Sequence, residues 1–316
     1  MTAAHAPAAL FAVFLGLAAS QPAVPQTPVD GLEERTLEVD GRERRYFVYE
    51  PAAAARHRAL LLVLHGSGGN AGRIRALTGG RFERLADEHG FVVAYPEGFE
   101  GNWNGCRAAA PFSANRLDVD DTAYLRALVQ ALGSNGDVYV FGFSGGAHMA
   151  LRLALEAPDL VRGITAVGAN LPVPGGNECR IAPAESPPAL LLVNGTADPI
   201  NPYDGGPVLL PEALGGHDLG TVLSSEETAA WFARRAGADG APAAGSGPEA
   251  DGDPATAVSW RRWGPADSAA VLLYRIEGGG HTIPQAGVAF PALVGPHSAD
   301  IDTPALAVQH FLGAPR

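Results

Sequence analysis

The sequence contains no lysine. Its 22 basic residues other than histidine are all arginine and face 34 acidic ones, for a net charge of −12. With the surplus of alanine and glycine, the missing lysine reads as compositional bias and carries no function. The charge balance excludes nucleic acid as a partner, because binding phosphates requires a basic face. Cysteine is almost as scarce: Cys106 and Cys179 are the only two, too few for a structural zinc site. No apolar run is long enough to span a bilayer, and residues 8–19 form a run of signal-peptide length instead. There is no internal repeat and no second core, which leaves one domain.

What is present describes a folded globular chain. Apolar content is 47% and charged content 18% over 316 residues, enough for a sizeable core. Small residues Ala18 and Ser20 sit three and one before Gln21, so residues 1–20 are expected to be a signal peptide. Residues 21–32 are proline-spaced and polar and read as a linker, and residues 33–316 form the domain. No cysteine follows the expected cleavage site, so no lipid anchor is expected, and the location expected is secreted or periplasmic. In such an oxidising compartment two cysteines suggest one disulfide, the alternative being two unrelated buried thiols. A bridge would close a loop of about 70 residues and contribute on the order of 2–4 kcal/mol.

Residues 35–39 and 44–50 alternate in polarity around Asp40-Gly41, predicting a β-hairpin with a D-G turn. Residues 59–64 are a continuous apolar run, as expected of a strand buried on both faces of a parallel sheet. Further strands are predicted at 91–94, 138–141, 161–167, 189–193, 259–263 and 271–276. Helices are predicted at 82–88, 121–132, 147–155 and 225–235, and a last one is opened by Thr303 as N-cap with Pro304 at N1. Residues 237–256 are rich in Ala, Gly, Pro, Asp and Ser without periodicity and predict a mobile surface insertion. The alternation predicts an α/β fold, a mostly parallel central sheet with helices on both faces.

Between the strand at 138–141 and the helix at 147–155 lies Gly142-Phe143-Ser144-Gly145-Gly146, a G-x-S-x-G in the strand-to-helix context of a nucleophile elbow. A serine hydroxyl needs an adjacent base, and the base an orienting acid. On this scaffold the expected chain order is Ser, then Asp or Glu, then His. Asp198 lies just past the strand at 189–193. His281 follows the strand at 271–276 in a glycine-rich loop that can fold back towards Ser144. His65-Gly66-Ser67-Gly68-Gly69 follows the strand at 59–64, where this scaffold takes one oxyanion donor. The donors are assigned to the N–H groups of Ser67, or its neighbour, and Gly145. His65 is expected to shape that loop rather than transfer protons.

The segments LHGSGG, AYPEG, NWN with Cys106, VDDTAYLRAL, GFSGGAHMA, NGTADPINPYDGG, SSEET and EGGGHTIP together resemble one family. It is that of the secreted esterases grouped as polyhydroxybutyrate depolymerase-like and feruloyl esterase-like α/β-hydrolases, and the likeness covers residues 36–312. The resemblance implies hydrolysis of small or oligomeric carboxylic esters by a Ser144–Asp198–His281 triad, with no cofactor. It also supports pairing of Cys106 with Cys179. Asp120 and Asp121 match a recurrent acidic pair, read here as structural and not as a metal site. Trp103, Phe143 and Ile283 are candidate walls of the substrate pocket, Trp103 being as compatible with core packing. Ile283, Pro284 and Gln285 stand where the family often has tryptophan and glycine, and no polymer-binding module is visible. Soluble esters are therefore expected over insoluble polymer. A peptidase on the same fold would need a pocket for a peptide chain, and the absence of a second, gating domain argues against it; a non-catalytic binding protein would normally have lost one of the three residues.

Overall fold

The computed structural model describes residues 32–52, 59–134, 137–212, 216–238, 240–248, 255–265 and 271–313. The expected signal peptide, and the expected linker up to residue 31, lie outside them. Strands β1 (Leu32–Val39) and β2 (Arg42–Tyr49) come first, then β3 (Leu60–Leu64) and helices α1 (Ala71–Leu77) and α2 (Arg81–His89). Strand β4 (Val92–Pro96), the short α3 (Ser113–Arg116), α4 (Asp121–Ala131), β5 (Val138–Phe143), α5 (Gly145–Glu156), β6 (Gly163–Val167) and β7 (Ala189–Gly195) follow. Strands β8 (Gly206–Leu209) and β9 (Asp218–Val222), α6 (Ser225–Arg235), β10 (Ala243–Ser246), β11 (Ala257–Trp263), β12 (Val271–Glu277) and α7 (Thr303–Leu312) complete the order.

One large sheet runs β1-β2-β4-β3-β5-β6-β7-β12-β11-β10. Its centre, from β4 to β12, is parallel, and the hairpin β1–β2 and the strands β11 and β10 add antiparallel edges. Side chains of the central strands alternate between two cores, as a period of two requires. Leu60, Leu62 and Leu64 pack with Tyr124, Leu128, Leu153 and Phe232 on one face. Leu61 and Val63 pack with Ile74, Phe82, Leu85 and Val308 on the other. Both faces are thus covered, which is why these strands read as unbroken apolar runs. The chain passes from β3 outward to β4 and then returns to the other side of β3 as β5. That reversal opens a crevice beyond the strand C-termini, the usual place for a site in such a sheet.

Some expectations are corrected. Leu32 pairs with Tyr49 in β1 and is not linker. Within 237–256, Ala243–Ser246 forms the edge strand β10 against β11, because backbone pairing to an existing sheet edge needs no apolar pattern. The N-cap of α7 is Asp302, whose carboxylate accepts from Ala305 N at 3.0 Å, while the Thr303 hydroxyl donates to the Pro284 carbonyl. The D-G turn holds: Asp40 and Gly41 have φ of 51° and 69° between the paired Val39 and Arg42, the double left-handed geometry such a turn demands.

Candidate active site

Ser144 lies between β5 and α5 with φ 53° and ψ −115°, a conformation costing on the order of 1–3 kcal/mol in a non-glycine residue. Its surroundings leave little choice. A Cβ on Gly142 would run into the backbone carbonyl of Gly146, and one on Gly146 into the carbonyls of Leu64 and His65. The two glycines of the motif let β5, the start of α5 and the end of β3 touch backbone to backbone. Ser144 N donates to Val167 O at 2.8 Å and its carbonyl accepts from His148 N at 3.0 Å. From residue 141 to 150 every residue is buried except Ser144. The helix terminus beside it favours developing negative charge.

Asp198 and His281 come from the loops after β7 and β12, neighbouring strands of the parallel run. Asp198 Oδ2 lies 2.6 Å from His281 Nδ1. Its Oδ1 accepts from the amides of Ile200 at 2.7 Å and Asn201 at 2.8 Å. The pair is desolvated, with side chains 5% and 1% exposed for His281 and Asp198. Gly280 explains how the imidazole arrives: a Cβ there would strike Val294 O and Gly295, and His281 N donates to Val294 O at 2.6 Å. The imidazole is 5.1 Å, centroid to centroid, from the ring of Phe143, the residue before Ser144. A Cβ on Gly168 would lie 2.9 Å from its Cε1, and Gly168 follows the Val167 that accepts the Ser144 amide. The three expected residues therefore converge at one end of the sheet.

The loop after β3 approaches the same place. A Cβ on Gly145 would lie 2.9 Å from Ser67 N, so the two expected oxyanion donors are neighbours. Gly68 N is taken by Asn102 Oδ1 at 3.2 Å and Gly69 N by Gly66 O at 3.0 Å, which favours Ser67 over its successors. His65 is buried and neutral here: Nε2 accepts from Gly98 N at 3.0 Å while Nδ1 lies 2.8 Å from Gly66 O. Burial lowers its pKa to about 4. The stabilisation from keeping it neutral is complete above the ordinary value near 6.5 and is lost as pH falls towards 4. This costs about 3 kcal/mol for His65 alone. Urea unfolding at pH 7 and pH 4.5 measures the loss, and equal stabilities would contradict the buried neutral ring.

Residues 101–209 match a family model described as the α/β hydrolase fold. Over 304 residues the chain is 35% identical to "Putative esterase NocK" of Nocardia uniformis subsp. tsuyamanensis, spanning 88% of this chain and 82% of that protein. The chain belongs to the α/β-hydrolase family. It is also 30% identical over 150 residues to an acetylxylan esterase of Coprinopsis cinerea, covering 46% of this chain and 40% of that protein. The solved acetyl xylan esterase from Aspergillus awamori shares the fold with a TM-score of 0.52 at 15% identity, over 81% of this chain and 96% of that one.

In this α/β-hydrolase one of the expected pocket walls takes the core-packing alternative left open for it, and another is corrected. Trp103 is buried, its indole N–H donates to His65 O at 2.9 Å and its ring packs 5.1 Å from the His65 ring. A buried indole needs an acceptor, and the one it finds makes it a prop of the loop after β3. Ile283 has no exposed surface and belongs to the same core cluster as Phe143 and Val193, so it lines no open pocket. Phe143 is buried between His281 and Phe290. A cavity of about 180 Å³ lined by Tyr203, Trp260, Arg261 and Arg275 contains none of the residues expected for a triad or an oxyanion hole.

Cys106 and Cys179 are bonded to each other. Asp120 is the N-cap of α4, accepting from Ala123 N at 2.7 Å, and Asp121 is buried against Arg44. Three buried polar residues carry no functional role in the sequence reading, which leaves His148 to packing or solvent exposure in its helix. Asn194 ends β7, and its Oδ1 accepts from Gly168 and Ala169 N while Nδ2 donates to Asn170 Oδ1 and Ser225 Oγ. It shapes the turn under His281, and a lone asparagine closing an apolar strand was its only signal. His148, one turn along α5 from Ser144, is buried, which pushes its pKa well below 6.5, helped by the charges of Arg107 and His281. Arg107 is buried as well.

Proposed function

We propose that this α/β-hydrolase is an exported serine carboxylesterase acting on soluble esters. The observation that carries the reading is the desolvated Asp198–His281 pair at the same end of the sheet as the strained, partly accessible turn of Ser144. Asp198 holds Nδ1 protonated, which leaves Nε2 to take the proton as Ser144 attacks the ester carbonyl. The Ser67 and Gly145 amides hold the tetrahedral oxyanion; losing one such donor costs about 10²–10³ in turnover. The alcohol leaves with the proton from His281, and water activated by the same imidazole cleaves the acyl-enzyme. Asp198 stabilises the imidazolium without accepting the proton. Export is supported by the apolar run at 8–19 and by the Cys106–Cys179 bond, which suits an oxidising compartment.

The test is turnover of p-nitrophenyl esters from acetate to octanoate, of methyl ferulate and of a soluble hydroxybutyrate oligomer, by the wild type and Ser144→Ala. Loss of wild-type turnover by roughly 10⁴–10⁶-fold in the variant is expected. Folded wild type that turns over none of these esters, or a p-nitroanilide in their place, would overturn the reading.

A further inference from the structure

Among the described residues Arg107 is a buried cation that the mechanism does not use. It is 5% exposed, and its Nε and Nη1 are buried with no acceptor among the described residues. The contrast with Arg44 is instructive. Arg44 is equally buried, at 4%, and sits on Asp121 at 2.6 Å. A buried guanidinium left without an anion is costly, and burial alone accounts for the lowering of the Arg107 pKa to about 10. At neutral pH it still carries its charge.

Its position is held firmly. Cys106 is bonded to Cys179, Glu178 N donates to Cys106 O at 2.9 Å, Ala108 N donates to Gly176 O at 3.0 Å, and Arg107 bridges to Asn177. A Cβ on Gly105, two residues earlier, would lie 3.3 Å from the Cβ of His148. His148 in turn is one turn of α5 from Ser144 and feels the charges of both Arg107 and His281. A second unpartnered group lies nearby in the fold. Asn201, three residues after Asp198, is 1% exposed, and neither its Oδ1 nor its Nδ2 has a side-chain hydrogen-bond partner among the described residues. Both segments pack on the β8–β9 hairpin: a Cβ on Gly220 would lie 3.9 Å from the Cβ of Arg107, and Leu209 N donates to Ile200 O at 3.1 Å.

We propose that Arg107 anchors a carboxylate carried by the substrate, so that the preferred esters bear a free acid on their acyl or alcohol part. This deepens the esterase reading and rests on it. His148 is one helical turn, about 5.4 Å, along α5 from Ser144, and on this proposal the acid lies a few carbon atoms from the scissile carbonyl. Half-esters of dicarboxylic acids and short hydroxy-acid oligomers with a free carboxyl end have that form. The ester is cleaved as above, and the carboxylate only binds.

The experiment compares matched pairs: mono-p-nitrophenyl glutarate against p-nitrophenyl pentanoate, and the free acid of a 3-hydroxybutyrate dimer against its methyl ester. Wild type is expected to favour the anionic member by about 10–100-fold in kcat/KM, as charge-assisted hydrogen bonds allow, mainly through KM. In Arg107→Met the ratio is expected to collapse towards one, with Arg107→Lys intermediate. Should Arg107→Met fail to fold, glutarate must compete with p-nitrophenyl pentanoate on the wild type while the uncharged, non-ester glutaramide of equal concentration does not. No anionic preference in either pair, a ratio unchanged in folded Arg107→Met, or no selective competition by glutarate would overturn the proposal. Hydrolysis of the neutral members alone would leave the esterase reading standing, whereas no hydrolysis of any ester would remove both.

Discussion

Asp198→Asn is expected to lower kcat for ester hydrolysis by about 10⁴-fold with the fold intact, the size of effect seen when a triad acid is neutralised elsewhere. The geometry says why so small a change costs so much. Asp198 Oδ1 already accepts two amides, from Ile200 and Asn201. An asparagine would keep its one carbonyl oxygen on those donors and turn its NH₂ towards His281 Nδ1, where Asp198 Oδ2 now lies at 2.6 Å. Nδ1 must then accept, so the ring proton moves to Nε2. An imidazole protonated at Nε2 cannot take the proton of Ser144. Steady-state kinetics with p-nitrophenyl butyrate and the thermal midpoint of both proteins check this. A fall in kcat of less than about tenfold, with Tm unchanged, would show that Asp198 does not set the tautomer.

The second large effect is on stability. Asp121→Ala is expected to destabilise the protein by about 3–5 kcal/mol, the usual loss when a buried ion pair keeps only one member. Asp121 and Arg44 are 0% and 4% exposed and 2.6 Å apart. The other Asp121 oxygen accepts from Asn104 N at 2.7 Å, and the Arg44 guanidinium lies 4.0 Å over the Tyr124 ring. Removal of the carboxylate strands the guanidinium between an aromatic face and the Glu97 carbonyl, its one other acceptor among the described residues. Thermal unfolding should show a fall in Tm of roughly 10 °C. The double variant Arg44→Met with Asp121→Leu should recover much of it, because both charges are then gone. Equal stability of Asp121→Ala and the wild type would refute the argument. The cluster also touches the site: Asn104 adjoins Trp103, which props His65 and so the loop bearing Ser67.

The candidate triad was legible because its constraints are local. Gly142 and Gly146 are required by backbone contacts at a strand-to-helix turn, and Gly280 by the passage of its loop against Val294 and Gly295. Such positions admit no side chain, and glycine is visible in any sequence. Long parallel strands were legible too, since burial on both faces leaves only apolar residues. Strand β10 was not: an edge strand in an Ala- and Gly-rich segment is selected by the partner it pairs with, and no pattern within 237–256 announces it. Nor was the α7 cap, where Asp302 and Thr303 are both competent and only the nearness of the Pro284 carbonyl decides between them.

Sequence by itself determined the parallel α/β architecture, the order Ser144, Asp198, His281 and the nearness of Ser67 to the elbow, because turn sterics and strand burial act on neighbours along the chain. Only the tertiary structure decided what surrounds them. Arg44 meets Asp121 across 77 positions, Trp103 props a loop instead of lining a pocket, and Arg107 is buried without an anion. Charge pairing and desolvation depend on which distant segments the fold brings together, and no local pattern records that.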